Sequence, residues 1–489
     1  MSVSILDKRS TPFRQLPFIG VPLSLMAFLL GMLIFRQPSL VLLGLVSLGI
    51  LVLMLSRIEV GIYFILLFVP VELTLDLFAP SSLKYLDEAI LLVIFFGLLL
   101  RIFITRRKDF KSTPLDKPLI VFLLIAFVSI VINKVPLSVG LAGLRAFLQY
   151  VLLYYVIIYS EISLSTLKKM VWLSVVVAAV LSVGGVIQEI LGPYAFGGWF
   201  MGIAENRAFR VGSMLRVFST MANPNTFGTY LSILLPVTLG LALYECRLKR
   251  RVILFLFSAP MILALILTFS RESWVGLLVG IAVVGVLIDK RVLIILFVLF
   301  LVASVAFPQQ IAGRLLEGFS LKYLMSSYGP PTAIFHGGGR VFYYVNTMKV
   351  VKDNFLFGVG PGRYGGSVAA IFKTPVYKKY AIPMSMAQID TFWMQLWGEV
   401  GTLGLIVFLF MLGRFFHEAR RIVLNDETPR FLKGLTAGFM VGFVAVLIEA
   451  LAANIFEVHT TMLFFWFFMA VVVRFGNELR CNKYSAKAI

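Results

Sequence analysis

The stretch VWLSVVVAAVLSVGGVI, at residues 171–187, decides the fold class because it contains no charged residue. Apolar runs of this length are typical of helices that cross the roughly 30 Å hydrocarbon core of a bilayer. Similar runs recur along the chain, including LPFIGVPLSLMAFLLGMLIF at 16–35, AILLVIFFGLLL at 89–100 and GLIVFLFMLG at 404–413. No small-residue cleavage site follows the first run, which predicts a retained helix rather than a signal peptide.

The composition supports the same class. Of the 489 residues, 60% are hydrophobic and 14% are charged, whereas soluble proteins contain about 45–50% apolar and about 25% charged residues. The sequence therefore predicts an all-α fold, a polytopic transmembrane helical bundle of about 14 spans. We expect residues 1–190 to form N-terminal transmembrane helices and residues 417–489 to form C-terminal helices and a cytoplasmic tail.

The basic residues predict the orientation of this bundle. The formal net charge is +20, and clusters of Lys and Arg occupy short loops between the apolar runs. These clusters are TRRKDFK at 105–111, RLKRR at 247–251, DKR at 289–291, EARR at 418–421 and RCNKYSAK at 480–487. Counting spans alternately puts them all on one side, which the positive-inside rule makes cytoplasmic, together with both termini. The excess charge therefore does not indicate a nucleic acid partner. Cys246 and Cys481 lie beside such clusters, so we expect neither a disulfide nor a thiolate metal site.

Two long loops fall on the external side of this topology, at residues 192–225 and 308–390, and a large external loop with short helices is part of the prediction. Both loops carry basic residues that the positive-inside rule does not require. Contacts with anionic lipid headgroups explain the lysines and Arg314 adequately. For Arg216, Arg271 and Arg340, the local sequence favours a binding role instead.

Arg216 precedes the sequence Asn223-Pro224-Asn225, which opens an apolar span. Proline suits a first helical turn, and an Asn before it can cap the free N–H groups of that turn. A helix N-terminus beside a guanidinium group predicts an anion site. In TFSRESWVG, at 268–276, two spans are so close that Arg271 must lie at the membrane boundary, where snorkelling to headgroups is the alternative interpretation.

The larger loop contains the sequence GGGRVFYYVNTMKVVKDNFLFGVGPGRYGG, at 337–366. Helical spacing predicts an amphipathic helix that begins at Arg340, ends near Asp353 and Asn354, and has one apolar face. That predicted face consists of Val341, Tyr344, Val345, Met348 and Val351. The following GVGPG indicates a tight turn, either simply connecting or bringing backbone close to a ligand. It does not follow a strand, which excludes a dinucleotide fingerprint.

Two carboxylates lie at the start of the next span, QIDTFWMQLWGEVGTLGLIVFLFML. Asp390 is either the N-cap of that helix or a functional group. Glu399 lies within the span, where a carboxylate needs a polar partner. We expect Gly401 and Gly404 to serve close helix packing.

The order of these motifs resembles the bacterial O-antigen ligase and O-antigen polymerase superfamily over about residues 190–415. The resemblance implies a lipid-carrier glycosyltransferase of GT-C type, with 191–416 as the catalytic-type region. It implies that the donor is a glycan on undecaprenyl diphosphate, bound at the external face of the bacterial inner membrane.

The same resemblance implies roles for particular residues. Arg216, Arg271 and Arg340 are expected to grip the diphosphate, because planar guanidinium forks hold phosphate oxygens well. Candidate substrate-binding residues are Asn223, Asn225, Arg210, Gly360 and Arg363, with helix capping as the alternative for the two asparagines. We expect no cofactor and no metal ion in this site, since a paired-carboxylate motif is missing.

One position departs from the family pattern. Ligases of the superfamily usually carry a histidine where Asp390 stands, and Asp390 can replace it as general base if burial raises its pKa. Among the three histidines, His336 is the best substitute, although an ordinary surface role suits it better. His459 falls in the last external turn.

The aspartate favours a polymerase, which passes the chain to another lipid-linked repeat unit, over a ligase, which passes it to a lipid core or protein. A lipid-linked sugar flippase or transporter is an alternative of another class. It would place ionisable residues along many spans and show internal repeats, whereas here they gather at one membrane face. Expected partners are the donor, a saccharide or lipid-core acceptor, membrane lipids and a chain-length regulator.

Overall fold

The computed structural model describes residues 49, 52–75, 85–105, 112–192, 210–211, 214–288, 290, 293, 340–384 and 387–487. The predicted first span at 16–35, His336 and the loop segments 193–209 and 294–339 lie outside these residues. The chain divides into two units, Met1–Arg57 and Ile58–Ile489. In the first unit, residues 52–56 are helical and the Ser56 hydroxyl donates to the Leu53 carbonyl.

The second unit consists mostly of helices. In chain order they are α1 (Ile58–Leu75), α2 (Leu86–Ile104), α3 (Asp116–Ile132), α4 (Leu137–Leu148), α5 (Val151–Tyr159), α6 (Leu164–Leu191), α7 (Pro224–Tyr244), α8 (Leu248–Leu267), α9 (Arg271–Leu287), α10 (Arg340–Asp353), α11 (Ser367–Ile371), α12 (Val376–Lys379), α13 (Phe392–Leu424), α14 (Arg430–Glu449) and α15 (His459–Lys487). A 3₁₀ turn, Ile455–Glu457, precedes α15, and two short strands, β1 (Arg210–Val211) and β2 (Met214–Leu215), pair antiparallel before α7.

Six of the described helices are long and apolar enough to cross a membrane: α6, α7, α8, α13, α14 and α15. The bent pair α4 and α5, which meet at 61°, makes a seventh if it counts as one span. The chain is therefore a multi-pass helical membrane protein.

Helix α14 lies at the centre of the bundle because its glycines allow close approach on two sides. Gly438 and Gly442 face α7, and a Cβ atom on Gly438 would come within 2.2 Å of the Pro236 carbonyl oxygen. On α9, a Cβ atom on Gly280 would come within 2.4 Å of the Val441 carbonyl oxygen. Small residues at membrane helix interfaces permit this backbone contact, and van der Waals packing then stabilises the pair.

The bundle has two chemically different ends. At the loop end, which we define by the N-termini of α7, α9, α13 and α15, the C-terminus of α14 meets its neighbours. There the Phe392 N–H donates to the Ala450 carbonyl, and the Phe392 and Phe456 rings stack at 4.3 Å. At the basic end, defined by residues 245–251 and 425–433, the Lys168 ammonium lies over the Phe431 ring.

The predicted helix at 340 forms as α10, with the bounds that the sequence indicated, but its predicted apolar face is only partly buried. Val351 is buried as part of that face. Val345 and Met348 are exposed, whereas Tyr343, Thr347 and Val350 are buried. The reason is tertiary packing. Tyr343 and Val350 belong to a core cluster with the loop at 359–389, and the Thr347 and Tyr364 hydroxyls lie 2.9 Å apart.

Candidate functional site

The Arg216 side chain forms hydrogen bonds to two separate chain segments at the loop end. Its Nε atom donates to the Thr268 carbonyl at 2.9 Å, and its Nη2 atom donates to Asn225 Oδ1 at 2.5 Å. The first partner closes the α8–α9 turn, and the second lies in the first turn of α7. The structure thus brings together the two motifs that the sequence separates by more than forty residues.

The start of α7 has the geometry that Asn-Pro-Asn predicted. Asn223 occupies the N-cap position in extended conformation, and its side chain accepts from the Asn225 N–H at 2.8 Å. Pro224 lies in the first turn. Asn223 is therefore a helix cap, whereas the Asn225 side chain contacts Arg216. The binding of the glycan donor by Asn223 and Asn225 remains a prediction.

The segment before α7 is held rigidly against three helices. The Gln188 side chain on α6 accepts from the Phe218 and Ser219 N–H groups at 3.2 and 3.0 Å. The Thr220 hydroxyl donates to the Pro70 carbonyl on α1 at 2.6 Å, and the Val217 N–H donates to a carbonyl on α8. These bonds fix the position from which Arg216 extends.

Backbone strain concentrates around the same turns. Ser219, Ala222 and Phe269 adopt positive φ angles of 51°, 53° and 51°. Such conformations are uncommon for residues with a side chain and persist only where the surrounding structure imposes them. Two of the three precede α7 and the third lies in the α8–α9 turn, so both motifs are built on strained backbone.

Arg271 is the first residue of α9 and is half-buried. The preceding Ser270 occupies the N-cap position, and its hydroxyl lies 3.0 Å from that of Ser273. A Cβ atom on Gly228 would come within 2.5 Å of the Ser273 hydroxyl oxygen. The positive ends of α7 and α9 therefore lie side by side, an arrangement that favours anions.

Glu449, which the sequence reasoning missed, connects α7 and α9 by hydrogen bonds. It is fully buried at the end of α14, and its Oε2 atom accepts from the Thr229 hydroxyl at 2.5 Å and the Ser273 hydroxyl at 3.2 Å. The available signal was a lone carboxylate at the end of the apolar run GFVAVLIEAL, where an ionisable residue is costly unless partnered. Its contacts indicate that it positions the two N-termini.

Asp390 lies next to α10. The pKa of Tyr343 on that helix is raised to about 12, mainly by burial and further by the nearby Asp390 carboxylate. Asp390 is not the N-cap of α13, because Thr391 occupies that position. It is also exposed, so the burial that a general base was expected to need is not provided.

The loop that leads to Asp390 is well anchored. The Ile389 N–H donates to the Gly365 carbonyl at 2.8 Å, and the Tyr377 hydroxyl both accepts from the Gly365 N–H and donates to the Ala387 carbonyl, each at 2.6 Å. Glu457 accepts from the Ser367 N–H at 2.9 Å. The position of Asp390 is therefore set by its neighbours rather than by a helix cap.

The GVGPG turn docks on a kink in α13. At Gly401 the backbone leaves the helical conformation, with φ 68° and ψ −173°. The Val359 and Gly360 N–H groups donate to the Gly398 and Glu399 carbonyls just before this kink, each at 2.9 Å. The Glu399 Oε1 atom accepts from the Tyr364 N–H at 3.4 Å. These contacts favour the connecting interpretation of the glycines.

The remaining candidate residues lie in different surroundings. Arg363 donates to the Asn133 carbonyl at 3.0 Å, between α3 and α4, and burial lowers its pKa. The structure describes the backbones of Arg210 and Arg340, in β1 and α10, but not their side chains. Among the candidates whose side chains it does describe, Arg216 and Asn225 are in direct contact.

The two described cavities lie elsewhere. One is an apolar cleft among α7, α9 and α14, lined by Leu239, Ile281 and Val441. The other is near the basic end, beside Trp172, Cys246 and Arg430. Neither contains a candidate site residue, so the candidate site rests on the hydrogen bonds and charges at the loop end rather than on cavity shape.

A family model described as O-antigen ligase matches residues 253–409. This match supports membership of the O-antigen ligase and polymerase family. The match includes Arg271, Arg340, Arg363 and Asp390, whereas Arg216 and the NPN sequence precede it. The matched domain supports a function of O-antigen ligase or polymerase type in general terms, and such a function implies a lipid-linked glycan and an acceptor as substrates. No protein of curated function matches the chain in sequence.

Proposed function

We propose that this chain is a lipid-carrier-dependent glycosyltransferase that polymerises oligosaccharide repeat units linked to undecaprenyl diphosphate. The products would be O-antigen, capsule or exopolysaccharide chains. The proposal rests on the two hydrogen bonds of Arg216, which connect the α8–α9 turn to the first turn of α7. A guanidinium between two adjacent helix N-termini favours a doubly charged leaving group such as a diphosphate.

In this proposal, Arg216, Arg271 and Arg340 hold the diphosphate of the donor. The acceptor hydroxyl attacks the anomeric carbon, its proton passes to Asp390, and the bond from that carbon to the phosphate oxygen breaks. Because Asp390 is exposed in the chain alone, the bound donor and acceptor would have to supply the burial that this role was expected to need. The negative charge that develops on the leaving group is stabilised by the arginines and the helix ends, which are fixed before reaction begins. No metal ion takes part in these steps.

The proposal includes a particular setting. About 14 spans of a GT-C-type arrangement would lie in the bacterial inner membrane, with both termini cytoplasmic and the loop end external. The Lys and Arg residues at 247–251 and 420–421 near the basic end support this orientation because positive charges are retained on the cytoplasmic side. A chain-length regulator is the proposed protein partner.

Two other functions remain to be distinguished. A ligase would transfer the finished glycan to a lipid core or protein, and a flippase or transporter would move the lipid-linked sugar without breaking a bond. The clustering of Arg216, Asn225 and Arg271 at one end of the bundle, rather than along its length, supports transfer over transport.

Product analysis separates the three functions. The purified chain in detergent, given lipid-linked repeat units as sole substrate, should produce a ladder of longer lipid-linked chains if it is a polymerase. A ligase would produce nothing until its lipid-core or protein acceptor is added, and then a single conjugate. A transporter would leave the substrate intact in both reactions, which would overturn the proposal.

A further inference from the structure

A second polar cluster lies at the loop end, on helices that do not carry Arg216. Glu72 lies in the last turn of α1, Asp87 in the first turn of α2, and His459 begins α15. Glu72 and Asp87 are buried, with 5% and 0% of their surfaces exposed, whereas the His459 side chain is 32% exposed. Three helices therefore converge on two buried carboxylates and one accessible imidazole.

The spacing of the ligand atoms in this cluster fits a metal ion. His459 Nδ1 lies 3.4 Å from Asp87 Oδ2 and 3.7 Å from Glu72 Oε2, and one ligand atom from each residue lies within 4.8 Å of the others. Charge-assisted hydrogen bonds are shorter, at about 2.7–2.9 Å. Tetrahedral coordination with bonds of about 2.1 Å places ligand atoms about 3.4 Å apart. The three side chains are spaced as ligands around a common centre.

An unsatisfied oxygen provides independent support. Asp87 Oδ1 is buried and has no hydrogen-bond partner, although the Tyr150 hydroxyl donates to Oδ2 of the same carboxylate. A buried carboxylate with one oxygen lacking a donor is costly, and a cation bound by the same carboxylate would offset part of that cost. The bond from Tyr150 is also the kind of outer contact that orients a ligating carboxylate.

The charges around the cluster leave room for a divalent cation. The third carboxylate nearby, Glu88, lies 3.9 Å from His459 Nε2 and forms a closer ion pair with Arg145 at 3.2 Å, which balances its charge. Glu72 and Asp87 then contribute two negative charges, which a divalent ion balances and a single imidazolium does not. An imidazole among the ligands favours zinc and similar transition metals over Mg²⁺ or Ca²⁺.

We propose that Glu72, Asp87 and His459 bind one divalent transition-metal ion of the zinc class, which ties α1, α2 and α15 together at the loop end. The ion is structural. The site shares no residue with the arginines proposed to hold the diphosphate, and it goes beyond the proposed transferase function.

Metal binding to the full chain tests this proposal without an activity assay. The chain is purified in detergent without a polyhistidine tag, treated with EDTA, dialysed against Zn²⁺ in small excess and analysed for bound metal. We expect one Zn²⁺ per chain in the wild type and a loss of at least about tenfold in affinity for Asp87→Asn and His459→Gln. Replacing Zn²⁺ by Co²⁺ should give the intense visible absorption of a four-coordinate site.

Two further variants make the result decisive. Glu418→Gln removes a carboxylate paired with Arg480 on other parts of the bundle, and it should bind Zn²⁺ like the wild type. Tyr150→Phe removes only the outer contact, and it should weaken binding roughly 10–100-fold even if a ligand variant fails to fold. A wild type that retains no Zn²⁺, or a Tyr150→Phe chain that binds as tightly as the wild type, would overturn the proposal.

Discussion

At the scale of single residues, Arg216 and Asp390 have opposite surroundings. Arg216 is half-buried and its guanidinium contacts two neighbouring connections. Asp390 is exposed, and its charge adds to the effect of burial in raising the pKa of Tyr343. The side chain of the arginine is therefore held by its neighbours, whereas the carboxylate is exposed to solvent.

Asp390→Asn tests the proposed general base. The amide preserves the shape of the side chain but cannot take a proton at working pH, so turnover should fall more than about 100-fold while donor binding is retained. The measurement is single-turnover transfer beside an equilibrium binding assay. Asp426→Asn, which alters an exposed carboxylate near the basic end, is the matched control and should transfer normally. Wild-type turnover by Asp390→Asn would remove this residue from the mechanism.

The structure does not support the helix-capping alternative for Asp390, and this changes the effect expected from substitutions at this position. Since Thr391 occupies the N-cap position, neither Asn nor Ala at 390 should cost the roughly 0.5–2 kcal/mol that loss of a cap removes. The sequence placed the helix start one residue early because Asp followed by an apolar run is a strong capping pattern.

At the scale of elements, the kink in α13 and the GVGPG turn depend on each other. The turn donates backbone N–H groups to carbonyls beside the kink, and the Thr402 N–H donates to the Phe355 carbonyl at 2.8 Å. A Cβ atom on Gly401 would come within 2.3 Å of the Leu356 carbonyl oxygen, and the φ of 68° is unfavourable for any other residue.

Gly401→Ala should therefore destabilise the protein by about 1–3 kcal/mol, because it adds strain at a position fixed by the turn. Gly413→Ala is a matched control in the same helix, since a Cβ atom there meets nothing within 4 Å. It should be neutral or stabilising by up to about 1 kcal/mol. Unfolding of both variants in one detergent checks this. Equal stability of the two variants would show that the kink is not fixed by its contacts.

Local sequence predicted some elements well and others poorly. The starts of α7 and α9 were predictable because Asn-Pro-Asn and a charged residue between two apolar runs are short-range signals. The buried face of α10 was not, because the core cluster that includes Tyr364 and Tyr377 decides it. Glu449 and His459 acquire their partners from helices distant in sequence, which composition and spacing do not reveal.

At the scale of the whole molecule, topology is the prediction on which the site's location depends. Reporter fusions at Phe196 and Gly366 should report an external position, and fusions within 105–117, 247–251 and 418–433 should report a cytoplasmic one, because the basic clusters are retained inside. The paired fusions serve as controls for one another. A cytoplasmic signal at Phe196 or Gly366 would mean that the proposed site lies on the cytoplasmic side, which would contradict the proposed function.

Transfer should also survive chelation. The proposed diphosphate site uses guanidinium groups and helix ends rather than a metal ion, so EDTA should leave turnover unchanged well below the unfolding temperature. The proposed structural ion at Glu72, Asp87 and His459 predicts a lower unfolding temperature after chelation, not slower chemistry. Turnover that is lost with EDTA and restored by Mg²⁺ or Mn²⁺ would contradict the metal-free mechanism.

The most direct test of the central claim is the release of undecaprenyl diphosphate from lipid-linked repeat units by purified protein in detergent. We expect the wild type to release it, and Arg216→Lys to do so more than about tenfold more slowly, because lysine keeps the charge but not the planar fork. Arg340→Lys should behave similarly, whereas Arg480→Lys, whose guanidinium pairs with Glu418, should match the wild type. Wild-type release by both Arg216→Lys and Arg340→Lys, or no release by the wild type, would contradict the account.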